Sequence, residues 1–117
     1  MNHGSYWHNP RCSKSREALA LLQARGMQPQ LVDYLDGRLD AATLRDTLAK
    51  LALPARQLLR TGEEAYRELD LADAALEDAA LIDAMVAHPR LIERPVYIRG
   101  DRAVIGRPPE RVLDLLD

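Results

Sequence analysis

Ser5-Tyr6-Trp7-His8-Asn9-Pro10-Arg11-Cys12-Ser13-Lys14-Ser15-Arg16 carries the reading of the whole chain. Residues 5–8 form a short strand-like run, and Glu17-Ala18-Leu19-Ala20-Leu21-Leu22 reads as helix. The only cysteine, Cys12, therefore falls in a strand-to-helix turn. The first N–H groups of a helix have no intrahelical acceptor, and the helix dipole favours negative charge beside them. A thiolate forms more readily there than on a free cysteine. An unperturbed thiol is only about 3% ionised at pH 7. A helix N-terminus with cationic neighbours can lower its pKa to roughly 3.5–7.5. The same N–H groups bind oxyanions, so one turn can hold both a nucleophile and the anion it attacks. The commonest fate of a lone cysteine is burial as a small hydrophobe. Arg11, Lys14 and Arg16 around it argue against apolar burial.

Outward from this turn the chain keeps a mixed order. The first helix is expected from about Ser13 to Arg25, with Ser13 as N-cap, Ala18, Leu19, Leu22 and also Leu21 inward, and Gly26 as a stop. Gln30-Leu31-Val32-Asp33-Tyr34 alternates like a strand. A β-α-β unit follows, with a right-handed crossover and parallel strands. Asp40 can cap a second helix whose inner face is Leu44, Leu48 and Leu51. Leu58-Leu59-Arg60 reads as a short helical turn, and Thr61-x-x-Glu64 has capping-box form ahead of a helix near 63–69. Another helix is predicted from about Asp78 to Ala87, on Leu81, Ile82, Met85 and Val86, ended by His88-Pro89. After Arg94-Pro95 the period changes to that of strands. Residues 96–99 and 103–105 form a hairpin around Gly100-Asp101, and a last helix starts near Pro109.

The order β-α-β, helices, β-β-α is that of a thioredoxin-like (glutaredoxin-like) α/β fold: a mixed sheet with a helical insertion at about 40–88. The 117 residues are expected to form one domain, 1–117. Hydrophobic residues make up 47% and charged residues 29%, a globular balance. Phe is absent, so Leu, Ala, Val and Ile must fill most of the core. A net charge of −2 gives no basis for nucleic-acid binding. One cysteine excludes an internal disulfide, and three histidines with one cysteine offer no metal-ligand spacing. With no signal-like or membrane-spanning run, the expected location is cytoplasmic, where thiols stay reduced.

His8-Asn9-Pro10-Arg11-Cys12-Ser13-Lys14-Ser15-Arg16 resembles the active-site signature of the glutaredoxin-coupled arsenate reductase family (ArsC). Leu58-Leu59-Arg60, His88-Pro89, Glu93-Arg94-Pro95-Val96 and Gly106-Arg107-Pro108 resemble its other landmarks, in the same order. The Ser-Lys-Ser after Cys12 is closest to a short chromosomal branch of that family. The resemblance implies arsenate reduction to arsenite, with Cys12 as catalytic nucleophile through a thioarsenate intermediate. It implies Arg60, Arg94 and Arg107 around the oxyanion, and His8 and Ser15 tuning or positioning the thiolate. It also implies a cis Arg94–Pro95 peptide. Glutathione would be the co-substrate and glutaredoxin the protein partner, with no bound cofactor and no metal.

The chemistry suits these residue types. Arsenate is a tetrahedral oxyanion, and arginine offers paired donors on a permanent charge. Without a second cysteine, external thiols must resolve the intermediate. His8 has two roles open to it: a cation beside the thiolate or a neutral proton acceptor. Arg99, at the far end of its strand, is expected in solvent, while Trp7 and Tyr97 are expected in the core. Two other functions fit parts of the pattern. A monothiol thiol-disulfide oxidoreductase needs a reactive Cys12 without three convergent arginines. A Spx-like regulatory binding protein typically carries Cys-x-x-Cys, and here Ser15 occupies the second position.

Overall fold

Four short strands form one sheet in the computed structural model, which describes residues 2–116. They are β1 (Ser5–Trp7), β2 (Gln30–Val32), β3 (Val96–Arg99) and β4 (Arg102–Ile105), in the order β2-β1-β3-β4. β1 pairs parallel with β2 and antiparallel with β3, and β3 turns back into β4 through Gly100-Asp101. Two strands end sooner than expected. His8 leaves β1 but its N–H still reaches the Val32 carbonyl at 3.0 Å, and Tyr34 opens a 3-10 turn, Tyr34–Asp36.

The described chain divides into two compact units. One runs up to Tyr34 and resumes at Arg94; the other is Leu35–Glu93. The first contains the sheet and helix α1 (Ser13–Ala24). Its core joins Tyr6 and Tyr97 from paired strands to Ala18, Leu19 and Leu22 of α1 and to Val112 and Leu115 of the C-terminal segment. Alternation puts Tyr6 toward α1, whereas Trp7 stacks on Tyr34 with ring centroids 6.4 Å apart. Each large apolar side chain so buried contributes about 1.5–3 kcal/mol.

Helix α1 stops in a Schellman turn. The Met27 N–H bonds the Leu22 carbonyl and the Gly26 N–H bonds that of Gln23, both at 3.0 Å, with Gly26 at φ +79°. The C-terminal segment Pro109–Leu115 is a 3-10 run rather than the expected α-helix. Side chains of β3 and β4 take its last carbonyls: Arg99 NH1 bonds Leu115 O at 2.8 Å and Arg102 NH2 bonds Asp114 O at 3.1 Å. Arg99 is thus not a solvated charge. Its Nε also donates to Asn2 O at 2.9 Å, so one guanidinium ties both ends of the unit to β3.

The second unit is built from α2 (Ala41–Leu51), α3 (Glu64–Glu68) and α4 (Asp78–Ala87). Asp40 caps α2 as expected, accepting the Thr43 N–H at 2.8 Å. The Thr61–Glu64 capping box does not form: α3 begins after Glu63, and no side chain caps it. Ala55–Leu58 is a 3-10 turn, and Leu59 continues extended to bridge Ile92. Leu58-Leu59-Arg60 is therefore helical only at its first residue. Leu81, Ile82 and Met85 of α4 are buried with Leu44 and Leu48 of α2 in this unit's core, while Val86 is only half-buried.

Gly4 and Gly26 separate two costs of adding a methyl group. Both have left-handed φ, +83° and +79°. A Cβ on Gly26 meets nothing within 4 Å, whereas one on Gly4 would collide with the Ile98 carbonyl and sit 2.9 Å from Tyr97 Cε1. Gly26→Ala should cost about 1–2 kcal/mol from backbone conformation alone. Gly4→Ala should cost about 1–3 kcal/mol more, from overpacking. Urea unfolding of the two variants checks this; equal costs would contradict the packing of residue 4 against β3.

Candidate active site

The turn between β1 and α1 is held by its own backbone and by short polar side chains. The Cys12 N–H donates to Asn9 O at 2.9 Å, the Asn9 side chain accepts the Arg11 N–H at 3.0 Å, and Arg16 NH1 donates to Pro10 O at 2.8 Å. Cys12 itself occupies the N-cap of α1, with extended φ −95° and ψ 122°, and its carbonyl accepts the Arg16 N–H at 3.1 Å. This corrects the expected cap at Ser13, which is already helical. No side-chain hydrogen bond caps the helix. The Ser15 and Lys14 N–H groups act on Cys12 by favouring its thiolate.

Ser15 anchors the turn from beneath. It is fully buried. Its hydroxyl oxygen accepts the Asn9 N–H at 3.0 Å and pairs with His8 Nδ1 at 2.7 Å. His8 is held below its ordinary pKa of 6.5, first by burial and then by the charge of Arg16. Of the two roles open to His8, the neutral imidazole is therefore the form favoured at pH 7.

Two arginines remote in sequence complete the surroundings of the sulfur. Arg107 NH2 stands 3.7 Å from Cys12 Sγ, and Arg107 Nε donates to the Arg94 carbonyl at 2.8 Å. The Arg94 guanidinium also favours the thiolate, by hydrogen bonding and by charge. Burial opposes ionisation of Cys12. The Ser15 N–H, Arg94 and the Lys14 N–H outweigh it, and the thiol pKa falls below its ordinary value. Arg94–Pro95 is cis, as the resemblance implied, and so is Arg107–Pro108, which sequence reading did not single out.

The nearer cations behave differently. Lys14 pairs with Glu17 at 3.7 Å on the exposed face of α1, and Arg11 is exposed. Arg60 lies in the second unit. There its guanidinium contacts Glu63 at 3.3 Å and Glu93 at 2.9 Å. Sequence reasoning also missed the backbone of Asn9. Its asparagine suits a tight turn, but nothing local showed that its N–H would bond a buried serine. Among the described residues, no group of three or more His, Cys, Asp or Glu side chains is placed to hold a metal ion, and no helix is long and apolar enough to cross a membrane.

The sequence profile of the ArsC family matches residues 7–115, which include every one of these site residues. The chain belongs to the ArsC family. An uncharacterised Escherichia coli K12 protein, YfgD, is 53% identical, over 94% of this ArsC chain and 93% of its own length. The arsenate reductase of Haemophilus influenzae is 47% identical, over 94% and 96%. The solved structure of an arsenate reductase from Vibrio cholerae superposes with a TM-score of 0.92 at 46% identity, covering 97% of this ArsC chain and 98% of that one. The fold is thioredoxin-like, a mixed α/β sheet with helices.

Removing the Ser15 hydroxyl strands the partly buried Asn9 N–H and takes the partner from His8 Nδ1. Ser15→Ala should therefore cost about 1–3 kcal/mol, read from urea unfolding. In wild-type protein, the His8 ring protons should titrate with a midpoint below 6.5. The sign for stability follows. Unfolded His8 binds its proton first as pH falls, so the contribution of the neutral ring is complete above 6.5 and is lost as pH drops through the folded pKa.

Proposed function

We propose that this protein is an arsenate reductase that works through a Cys12 thioarsenate, with glutathione and glutaredoxin as reductants. One observation carries the reading. The only cysteine sits at a helix N-terminus, with two N–H groups and the Arg94 guanidinium favouring its thiolate and Arg107 NH2 3.7 Å from its sulfur. The names of relatives 44–47% identical, arsenate reductases of Neisseria meningitidis and Haemophilus influenzae, support arsenate as the substrate.

The chemistry follows from these groups. The Cys12 thiolate attacks arsenic; an S–As bond forms, an As–O bond breaks, and the departing oxygen takes up protons to leave as water. Arg107 and Arg94 offset the charge on the remaining oxygens, and they favour thiolate and oxyanion by the same electrostatics. Neutral His8 and the buried Ser15 hold the turn in place and leave the positive field at the sulfur to the arginines. Arsenic then accepts two electrons. They come from the Cys12 sulfur and one glutathione sulfur, which end joined as a mixed disulfide while arsenite departs. Glutaredoxin reduces that disulfide and returns Cys12 as a thiol. For Arg60 the proposed oxyanion role rests on the sequence resemblance. Its guanidinium is shared by two glutamates, so it would have to exchange one of them for substrate.

Arsenate-dependent NADPH consumption, coupled through glutathione, glutathione reductase and glutaredoxin, tests this reading. Cys12→Ser should abolish the rate. Arg107→Lys keeps the charge but loses the forked donors that reach both Sγ and the Arg94 carbonyl. It should lower kcat/KM about ten- to a hundredfold, the equivalent of one charge-assisted hydrogen bond. A wild-type protein that turns over glutathione mixed disulfides but not arsenate would favour the monothiol oxidoreductase instead.

A further inference from the structure

Behind the turn lies a tyrosine that the chemistry above does not use. Tyr6 of β1 is fully buried, and its hydroxyl donates to the Ser15 carbonyl in the first turn of α1. The Ser15 side chain and, more weakly, a backbone N–H at Leu19 also act on the phenol. Ser15 C=O and Leu19 N–H are the i and i+4 groups of one helical rung, so the phenol sits at that rung. A phenylalanine would fill the same space without burying a hydroxyl, which costs free energy unless it is bonded. The hydroxyl is therefore there for its bond.

Every polar group of Ser15 is then committed. Its N–H favours the Cys12 thiolate, its hydroxyl holds the Asn9 N–H and His8 Nδ1, and its carbonyl takes the Tyr6 hydroxyl. The last three partners all come from residues 6–9, the strand and turn that precede Cys12. We propose that Tyr6 is a positioning residue for Cys12: by fixing the Ser15 carbonyl to β1, it aims the Ser15 N–H at the sulfur. The proposal rests on the reading of Cys12 as the reacting thiolate.

The charged and titratable surroundings are compatible with this role. The sulfur faces Arg94 from the segment before β3, Arg107 from the segment after β4, and the Lys14 and Ser15 N–H groups of α1. Tyr6 faces the His8 ring at 5.5 Å, the Tyr97 ring at 6.4 Å and the charge of Cys12. Burial, and to a lesser degree the negative charge of Cys12, push the phenol pKa well up. Tyr6 therefore remains a hydrogen-bond donor throughout the range in which Cys12 ionises.

Alkylation rate of native Cys12 by iodoacetamide, measured against pH, tests the proposal on wild type, Tyr6→Phe and Tyr97→Phe. Tyr97 is the control: it is equally buried, and its hydroxyl bonds a carbonyl remote from the turn, His3 O at 2.8 Å. Tyr6→Phe should raise the midpoint by about half a unit to one unit, and Tyr97→Phe should leave it in place. A folded Tyr6→Phe with the wild-type midpoint would overturn the proposal. A second measurement needs no substitution at these tyrosines. In wild-type protein labelled with 13C at the tyrosine Cζ, the Tyr6 signal should follow the Cys12 titration while that of Tyr97 does not. If Tyr6→Phe fails to fold, a Tyr6 signal that stays flat overturns the proposal and one that follows Cys12 supports it. A wild-type midpoint at the free-cysteine value counts against the proposed function alone, because the Tyr6 comparison is a difference between variants.

Discussion

The buried hydroxyl of Ser15 is the constraint on which the turn around Cys12 depends. It joins α1 to the segment leaving β1, through the Asn9 N–H and His8 Nδ1. A hydroxyl taken out of water must find partners or lose several kilocalories, so its two contacts leave the turn little freedom. The backbone bond from Cys12 to Asn9 then closes the loop, and Cys12 has no alternative to the N-cap.

Activation of Cys12 is a contest between burial and local dipoles. Burial alone would keep the thiol protonated, and it is the largest single influence on the group. The Ser15 and Lys14 N–H groups and Arg94 together exceed it. A partly buried site with fixed donors strengthens the same interactions that a bound oxyanion would use. The arginines are themselves positioned: Arg107 is aimed by its bond to the Arg94 carbonyl, so neither side chain is placed independently of the other. The lowered pKa of His8 fits this division of labour, since a neutral imidazole leaves the thiolate charge to the helix and the arginines.

Around the site, the frame uses charged side chains as backbone ties. Arg99 holds carbonyls of Asn2 and Leu115, and Arg102 holds that of Asp114, which fastens the 3-10 run to the hairpin. A 3-10 helix leaves its terminal carbonyls without internal partners, and these guanidinium groups supply them. Val112 and Leu115 of that run pack in the same core as α1 and the two central tyrosines. The element that carries Cys12 and the chain end that backs it therefore share one cluster of apolar side chains.

What the amino-acid sequence determined by itself was local. Apolar spacing placed α1, α2 and α4, strand alternation and Gly100-Asp101 placed the hairpin, and Asp40 marked its helix start. Each of these depends on groups within a few residues of one another. The position of Cys12 at a helix N-terminus belongs with them. The Ser13 cap, the Thr61–Glu64 box and the solvated Arg99 were misread for one reason. A short polar side chain or a long cation takes whichever partner the packed chain brings within reach, and the near neighbour is only one candidate. Tertiary structure alone brought Arg107 to the sulfur, and it gave Arg60 the remote Glu93 beside its near neighbour Glu63. It also buried Ser15 against His8 and Asn9 and gave the Tyr6 hydroxyl a helix carbonyl. Those partners lie outside the local repeat of one helix or strand, so only packing of the chain sets their distances.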